Sequence, residues 1–234
     1  MAPGIVYLDG PPGAGKSTIL SNLAAKYKLT VIPEPLMQWS AALRDLDRLQ
    51  SVINVAMSTD EPADILSELA QYELVLIHLQ TLVLSWYQQL AAKIPEMKIR
   101  GRVNVVVVER SPVSALVFHR LAANDENRTR ECVAQLDAIA KQYPEMPAAA
   151  HFDLRASPEQ ICERLRARNA PGDGLWTPEG VQLYYEMFDV VMAEKNMNPS
   201  HIDASDSPEA VADAIYSRIT HSHGRSRTLR EMFF

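Results

Sequence analysis

Nine consecutive residues, Gly10-Pro11-Pro12-Gly13-Ala14-Gly15-Lys16-Ser17-Thr18, constrain this chain more than any other stretch of it. They follow the strand-like run Ile5-Val6-Tyr7-Leu8-Asp9, precede a helical pattern and fit G-x-x-x-x-G-K-[ST] in the context that motif requires. The glycines let backbone N–H groups turn inward around phosphate oxygens, and a helix starting near Lys16 adds its positive N-terminus. Lys16 is placed to neutralise outer phosphates, and the Ser17 hydroxyl to meet Mg2+. The run predicts nucleoside triphosphate binding and is silent on what receives the phosphate. Only 9 of the 234 residues are glycine, yet Gly10, Gly13 and Gly15 all fall in this loop. Backbone freedom is being spent where phosphate is expected.

Around this loop, short β-rich runs alternate with longer helical patterns. Strands are expected at 4–9, 29–32, 103–108, 149–154 and 201–203. Helices are expected at 16–28, 37–57, 63–93, 112–122, 127–142, 158–169, 178–194 and 208–220. The valines at 105–108 suit a strand covered on both faces, as in a parallel sheet. Ser157-Pro158, Thr177-Pro178 and Ser207-Pro208 read as capped helix starts. The alternation predicts an α/β fold with a doubly wound, five-stranded parallel sheet flanked by helices. One domain over 1–220 is expected, followed by a loosely held tail at 221–234 that carries Arg225, Arg227 and Arg230.

Bulk properties narrow the function classes. The 23 basic and 29 acidic residues give a net charge of -6, which argues against a nucleic-acid partner. Cys132 and Cys162 are too few and too far apart for a disulfide framework or a zinc site. The N-terminus shows no signal-peptide pattern, and the apolar stretch 74–90 is broken by His78, Gln80, Gln88 and Gln89. That stretch reads as a long buried helix rather than a membrane span. An intracellular, cytoplasmic protein with no membrane association is expected.

Three further clusters bear on the phosphate acceptor. The second strand ends in Pro33-Glu34-Pro35, placing a carboxylate at the sheet edge where α/β proteins bind ligands, with Trp39 available to wall a pocket for a flat ring. The third strand ends in Glu109-Arg110-Ser111, an acid able to hold Mg2+ beside an arginine able to pair with Glu34 or with phosphate. Arg164 and Arg168 share one helix face ahead of the polar loop 169–174, in which Gly172 and Gly174 flank Asp173. That arrangement suits a lid, at about 164–176, that closes on phosphates.

In this order, the segments YLDGPPGAGKST, PEPLMQW, ERSPVSALVFH and ERLRARNAPGDG resemble the deoxynucleoside kinase family, most closely its herpesvirus-type thymidine kinases. The resemblance implies a P-loop kinase fold and ATP- and Mg2+-dependent phosphorylation of a deoxynucleoside 5′-hydroxyl, in nucleotide salvage. It implies Glu34 as general base, Arg110 as its positioning partner, Glu109 with Ser17 at the metal, and Lys16, Arg164 and Arg168 on the phosphates. Trp39, Gln71, Ala115, His119 and Asp173 are implied as nucleoside contacts: Gln71 on the base, Ala115 leaving room for a substituted pyrimidine, and Asp173 on the sugar 3′-hydroxyl. Ala115 tilts the implied substrate toward thymidine, and a homodimer is implied by resemblance alone. The chain departs from the family at His119, where an aromatic is usual and Phe118 offers itself instead. It also has no tyrosine at 54–62 to share the 3′-hydroxyl. Two other readings stay open: a thymidylate-type monophosphate kinase, disfavoured by the lack of arginine near Glu34, and a non-catalytic nucleotide-binding module.

Overall fold

The most enclosed strand is the valine run, and it organises the sheet. Val105, Val106, Val107 and Val108 are all fully buried, so β3 (Val105–Glu109) is covered on both faces. It lies between β2 (Thr30–Ile32) and β1 (Gly4–Asp9), and β4 (Ala150–Arg155) and β5 (Ser200–Asp203) complete the order β2-β3-β1-β4-β5. Every pairing is parallel, with Leu8 opposite Glu109 and Asp9 opposite Asp153. All five C-terminal strand ends therefore meet on one edge, and the chain leaves the central β1 there as the glycine loop. The structure, a computed structural model, describes residues 3–58, 62–99, 103–125, 128–144, 148–170 and 172–233, with backbone alone at 62–64 and 222–233.

Helices α1 (Lys16–Tyr27), α2 (Leu36–Ser58), α3 (Pro62–Lys93), α4 (Pro112–Ala123), α5 (Arg130–Ala140), α6 (Pro158–Arg168), α7 (Pro178–Glu194) and α8 (Pro208–Phe233) surround the sheet. The expected caps form: the Ser157, Thr177 and Ser207 hydroxyls accept the N–H groups of Gln160, Gly180 and Ala210. Ser111 and Thr129 cap α4 and α5 in the same way. One sheet face packs on α1, α4, α6, α7 and α8, through residues such as Leu20, Val117, Leu165, Phe188 and Ile215. On the other, Tyr7, Val106 and Val108 pack on Tyr87 and Leu90 of α3. Helices α2 and α3 form an antiparallel hairpin, closed at one end by the Trp39–Trp86 ring pair and at the other by Leu49, Ile53 and Tyr72.

Several expectations need correction. The third strand reaches Glu109 and the fourth reaches Arg155, so both end one residue later than read from the sequence. Helix α3 is not buried all round, because Leu66 and Leu74 stand exposed on its outer side. Helix α8 continues to Phe233, beyond the end expected at residue 220. Its packed part, with Val211, Ala212, Ile215 and Ile219 buried, nucleates the helix, and each further residue then needs only one more backbone bond. The expected α5 start at Asn127 and the lid residue Pro171 lie outside the described residues. Cys132 and Cys162 are buried free thiols, and among the described residues no helix is long and apolar enough to cross a membrane.

Candidate active site

The glycine loop takes the shape its composition requires. Gly10, Gly13 and Gly15 all have positive φ, and a Cβ on Gly13 would lie 2.9 Å from Leu165 Cγ and 3.0 Å from the Ile161 carbonyl oxygen. The loop is thus pressed against α6 as it turns into α1. Lys16 folds back over it, its Nζ donating to the Gly10 and Pro11 carbonyls at 2.9 and 2.7 Å. Burial, then the nearby Arg110 charge, lowers the Lys16 pKa from 10.5 to about 7, against the opposing pull of Glu109, Glu34 and Asp9.

The strand-end acids converge on the loop from β2 and β3. Ser17 Oγ donates to Glu109 Oε1 at 2.9 Å, and the Glu34 backbone N–H donates to the other Glu109 oxygen at 3.2 Å. A hydroxyl and a carboxylate in contact are the hard oxygen donors that Mg2+ selects, so this pair fits the metal the motif implies. Arg110 Nε donates to Glu34 Oε2 at 2.9 Å, while its Nη1 donates to the Gly10 carbonyl and to Ser114 Oγ. Arg110 is buried and Glu34 is partly buried. Burial opposes the Arg110 charge, but Glu34, Tyr184 and Glu109 outweigh it and raise the pKa above the ordinary value.

Arg110 holds this position at a backbone cost. Its φ of 63 lies in the left-handed region, which a non-glycine residue enters only when its surroundings over-determine it. Here the Arg110 N–H donates to the Leu8 carbonyl at 3.0 Å, and the Ser111 N–H donates to Asp9 Oδ1 at 2.9 Å. The guanidinium also lies 4.8 Å over the Phe118 ring. Asp9, Ser114 and Tyr184 are support residues that motif reading missed. Only the strand-end position of Asp9 could have pointed to one of them.

A cavity of about 1550 Å3 runs from the loop between α2, α3 and α4. Of the residues expected in it, Lys16, Ser17, Thr18, Glu34, Trp39, Glu109, Arg110, Ala115, Arg164, Arg168 and Asp173 all line it. Two do not. Gln71 is exposed on the outer side of α3, because the cavity face of that helix is the stripe Tyr72, Leu76, Gln80, Val83 and Tyr87. His119 turns away from the cavity and places Nε2 2.7 Å from Asp137 of α5, leaving Phe118 on the wall. The buried amide facing the cavity is Gln80, which motif matching missed although it is the one polar residue in an otherwise apolar and aromatic stripe.

Arg164, Arg168 and Asp173, from the segment expected to be a lid, line the cavity beside the glycine loop. Arg168 forks onto both Asp173 oxygens, with Nε 2.9 Å from Oδ2, and the Ala170 N–H caps the same carboxylate at 2.8 Å. Arg164 donates instead to the Ala204 carbonyl just past β5 at 2.9 Å.

Comparison with known proteins gives this constellation its family. The chain is 29% identical over 179 residues to a thymidine kinase of bovine herpesvirus 2 (strain BHM-1), covering 72% of this chain and 53% of that protein. It therefore spans about half the length of that relative. Its fold superimposes on deoxyadenosine kinase of M. mycoides with a TM-score of 0.70 at 12% identity, over 93% of this chain and 99% of that one. It also superimposes on thymidylate kinase of Candida albicans with a TM-score of 0.57 at 14% identity, over 95% of this chain and 93% of that one. The deoxynucleoside kinase family model matches residues 6–174, which contain the loop, both strand-end acids, Arg164, Arg168 and Asp173, and the chain belongs to that family.

Proposed function

We propose that this protein transfers the γ-phosphoryl group of ATP to the 5′-hydroxyl of a deoxynucleoside, with thymidine its preferred acceptor. One observation carries the reading: a partly buried carboxylate, Glu34, sits where the phosphate loop meets the cavity, with one oxygen fixed by Arg110. Its other oxygen makes no hydrogen bond among the described residues, so it is available to take the hydroxyl proton. Arg110 keeps that carboxylate oriented and adds positive charge beside the transferring group. Lys16, Arg164 and Arg168 bind the phosphates, and Ser17 with Glu109 would hold Mg2+. When bound, the metal supplies charge neutralisation between the outer phosphates. Chemistry of this kind is positioning plus electrostatics, which matches a site rich in cations.

The acceptor choice has separate support. The cavity wall that holds Phe118 and Gln80 also includes the small Ala115, which leaves room for a base substituent, and the herpesvirus relative is itself a thymidine kinase. Asp173, buried in the cavity wall, is the proposed partner of the sugar 3′-hydroxyl. The test is phosphoryl transfer from labelled ATP with Mg2+ to each deoxynucleoside separately and then to each monophosphate. Labelled thymidine monophosphate is the expected product. Labelling of monophosphate acceptors alone would replace this reading with that of a monophosphate kinase.

A further inference from the structure

Gln80 is held from behind. The Tyr143 hydroxyl, just past α5, donates to Gln80 Oε1 at 2.6 Å. Tyr143 packs edge-on against Tyr87, with ring centroids 6.3 Å apart, in the apolar layer formed by Tyr87, Leu90 and Ile94. Burial pushes the phenol pKa up, so the hydroxyl stays a donor at any working pH. Gln80 is its one hydrogen-bond partner among the described residues. Turning the amide over would point Nε2–H at the phenol oxygen and leave the phenol proton without an acceptor in an apolar wall, an arrangement buried polar groups avoid. Tyr143 therefore selects one of the two orientations of an amide that could otherwise read a base either way.

The selected orientation has a chemical consequence. With Oε1 committed on one lone pair to Tyr143, Nε2 is the donor left for the cavity, and it makes no hydrogen bond among the described residues. Oε1 keeps a second lone pair. The pair so presented, an N–H donor beside an oxygen acceptor, complements a ring carbonyl next to a ring N–H, the edge of thymine or uracil. Cytosine in the same pose brings an amino group to the donor and a bare ring nitrogen to the acceptor, so both contacts become mismatches.

Resting on the reading of the cavity as a nucleoside site, we infer that Tyr143 is a specificity-positioning residue. By fixing the Gln80 amide it makes the enzyme favour nucleosides whose base pairs a 4-oxo group with an N3–H over their 4-amino counterparts. Tyr143 does not line the cavity and touches no substrate; it acts through Gln80 alone.

The experiment is titration calorimetry of thymidine and deoxycytidine on the full chain, with Tyr143→Phe and Gln80→Met beside it, and steady-state kinetics on the same proteins. Wild type should bind thymidine about tenfold or more tightly than deoxycytidine, the order that a mismatched buried donor–acceptor pair produces. Tyr143→Phe keeps the ring and releases the amide. The binding ratio should then collapse toward one, with the kinetic change appearing in KM more than in kcat. Gln80→Met should weaken thymidine and flatten the ratio as well. A purely structural tyrosine would lower thermal stability and leave the ratio intact, and that outcome overturns the inference. So does a wild type that binds deoxycytidine as well as thymidine, or a ratio that survives Gln80→Met. Binding discrimination without any turnover would instead sink the proposed kinase reaction and leave the role of Tyr143 standing.

Discussion

Lys16 offers the sharpest quantitative test, because its environment changes completely when a triphosphate arrives. In the free protein its ammonium rests on two carbonyls, and burial with the Arg110 charge has lowered its pKa from 10.5 to about 7. That depression is worth on the order of 5 kcal/mol against the charged form. Its sign fixes two pH dependences. The folded pKa lies below the unfolded one, so between pH 7 and 10.5 the unfolded chain holds more protons and the stability of the free protein rises with pH through that window. A bound triphosphate favours the ammonium, restores the pKa and makes binding take up a proton. The uptake should be about 0.9 proton at pH 8, about 0.5 at pH 7 and about 0.1 at pH 6, and affinity should fall about tenfold per pH unit above 7. Titration calorimetry of the Mg2+ nucleotide at pH 8 to 9, where the phosphates are fully ionised, reads this directly in buffers of different ionisation enthalpy. Lys16→Ala, measured at the higher concentrations its weaker binding demands, should show no uptake. An uptake below about 0.2 proton at pH 8 would refute the argument, because Lys16 would then be charged before the nucleotide arrives.

Other consequences are more local. Glu34→Gln keeps the Arg110 contact through the side-chain oxygen and should leave nucleoside KM within a few-fold, while kcat falls by about 10²–10⁴; an unchanged kcat removes Glu34 from the role of base. Gly13→Ala combines a φ of 80 with a Cβ 2.9 Å from Leu165, so it should cost roughly 1–3 kcal/mol. A melting temperature within a degree of wild type would show that the loop is not pressed against α6 as described.

How far the sequence alone reached depends on the kind of element. Glu34, Glu109 and Arg110 were legible because a parallel sheet delivers all its strand ends to one edge, so a strand-end acid near a phosphate loop has few other places to go. Helical positions were less forgiving. Adjacent residues on a helix point about 100° apart, so matching Ala-Gln-Tyr by its wording selected Gln71 when the cavity stripe passes through Tyr72 and reaches an amide two turns later at Gln80. The same one-residue slip separates His119, on Asp137, from Phe118, under Arg110. Periodicity was the better guide in both cases. The long course of α8 was illegible for another reason: past Ile219 the helix is an extension of a packed segment.

The Arg168–Asp173 pair links the proposed phosphate and sugar ends of the cavity. Both oxygens of Asp173 are engaged, by the Arg168 fork and by the Ala170 N–H, so in this state Asp173 can take a sugar hydroxyl only as a further, weaker acceptor. Arg168 is nearly half exposed while Asp173 is buried, so the arginine is the partner free to leave. Triphosphate oxygens would compete for its guanidinium with more charge than one carboxylate offers. If Arg168 moved to them, Asp173 would be left as a buried acceptor short of donors, open to the proposed contact with the nucleoside's 3′-hydroxyl. The two ligands should therefore bind with positive coupling, and by linkage each should strengthen the other by the same factor, about fivefold or more. The coupling is measured as the nucleoside Kd with and without a non-hydrolysable ATP analogue. Arg168→Ala should improve nucleoside binding in the absence of nucleotide and erase the dependence on it. Equal nucleoside affinities in wild type with and without the analogue would mean that the Arg168–Asp173 pair stays closed through the cycle, and that the sugar is held by another group.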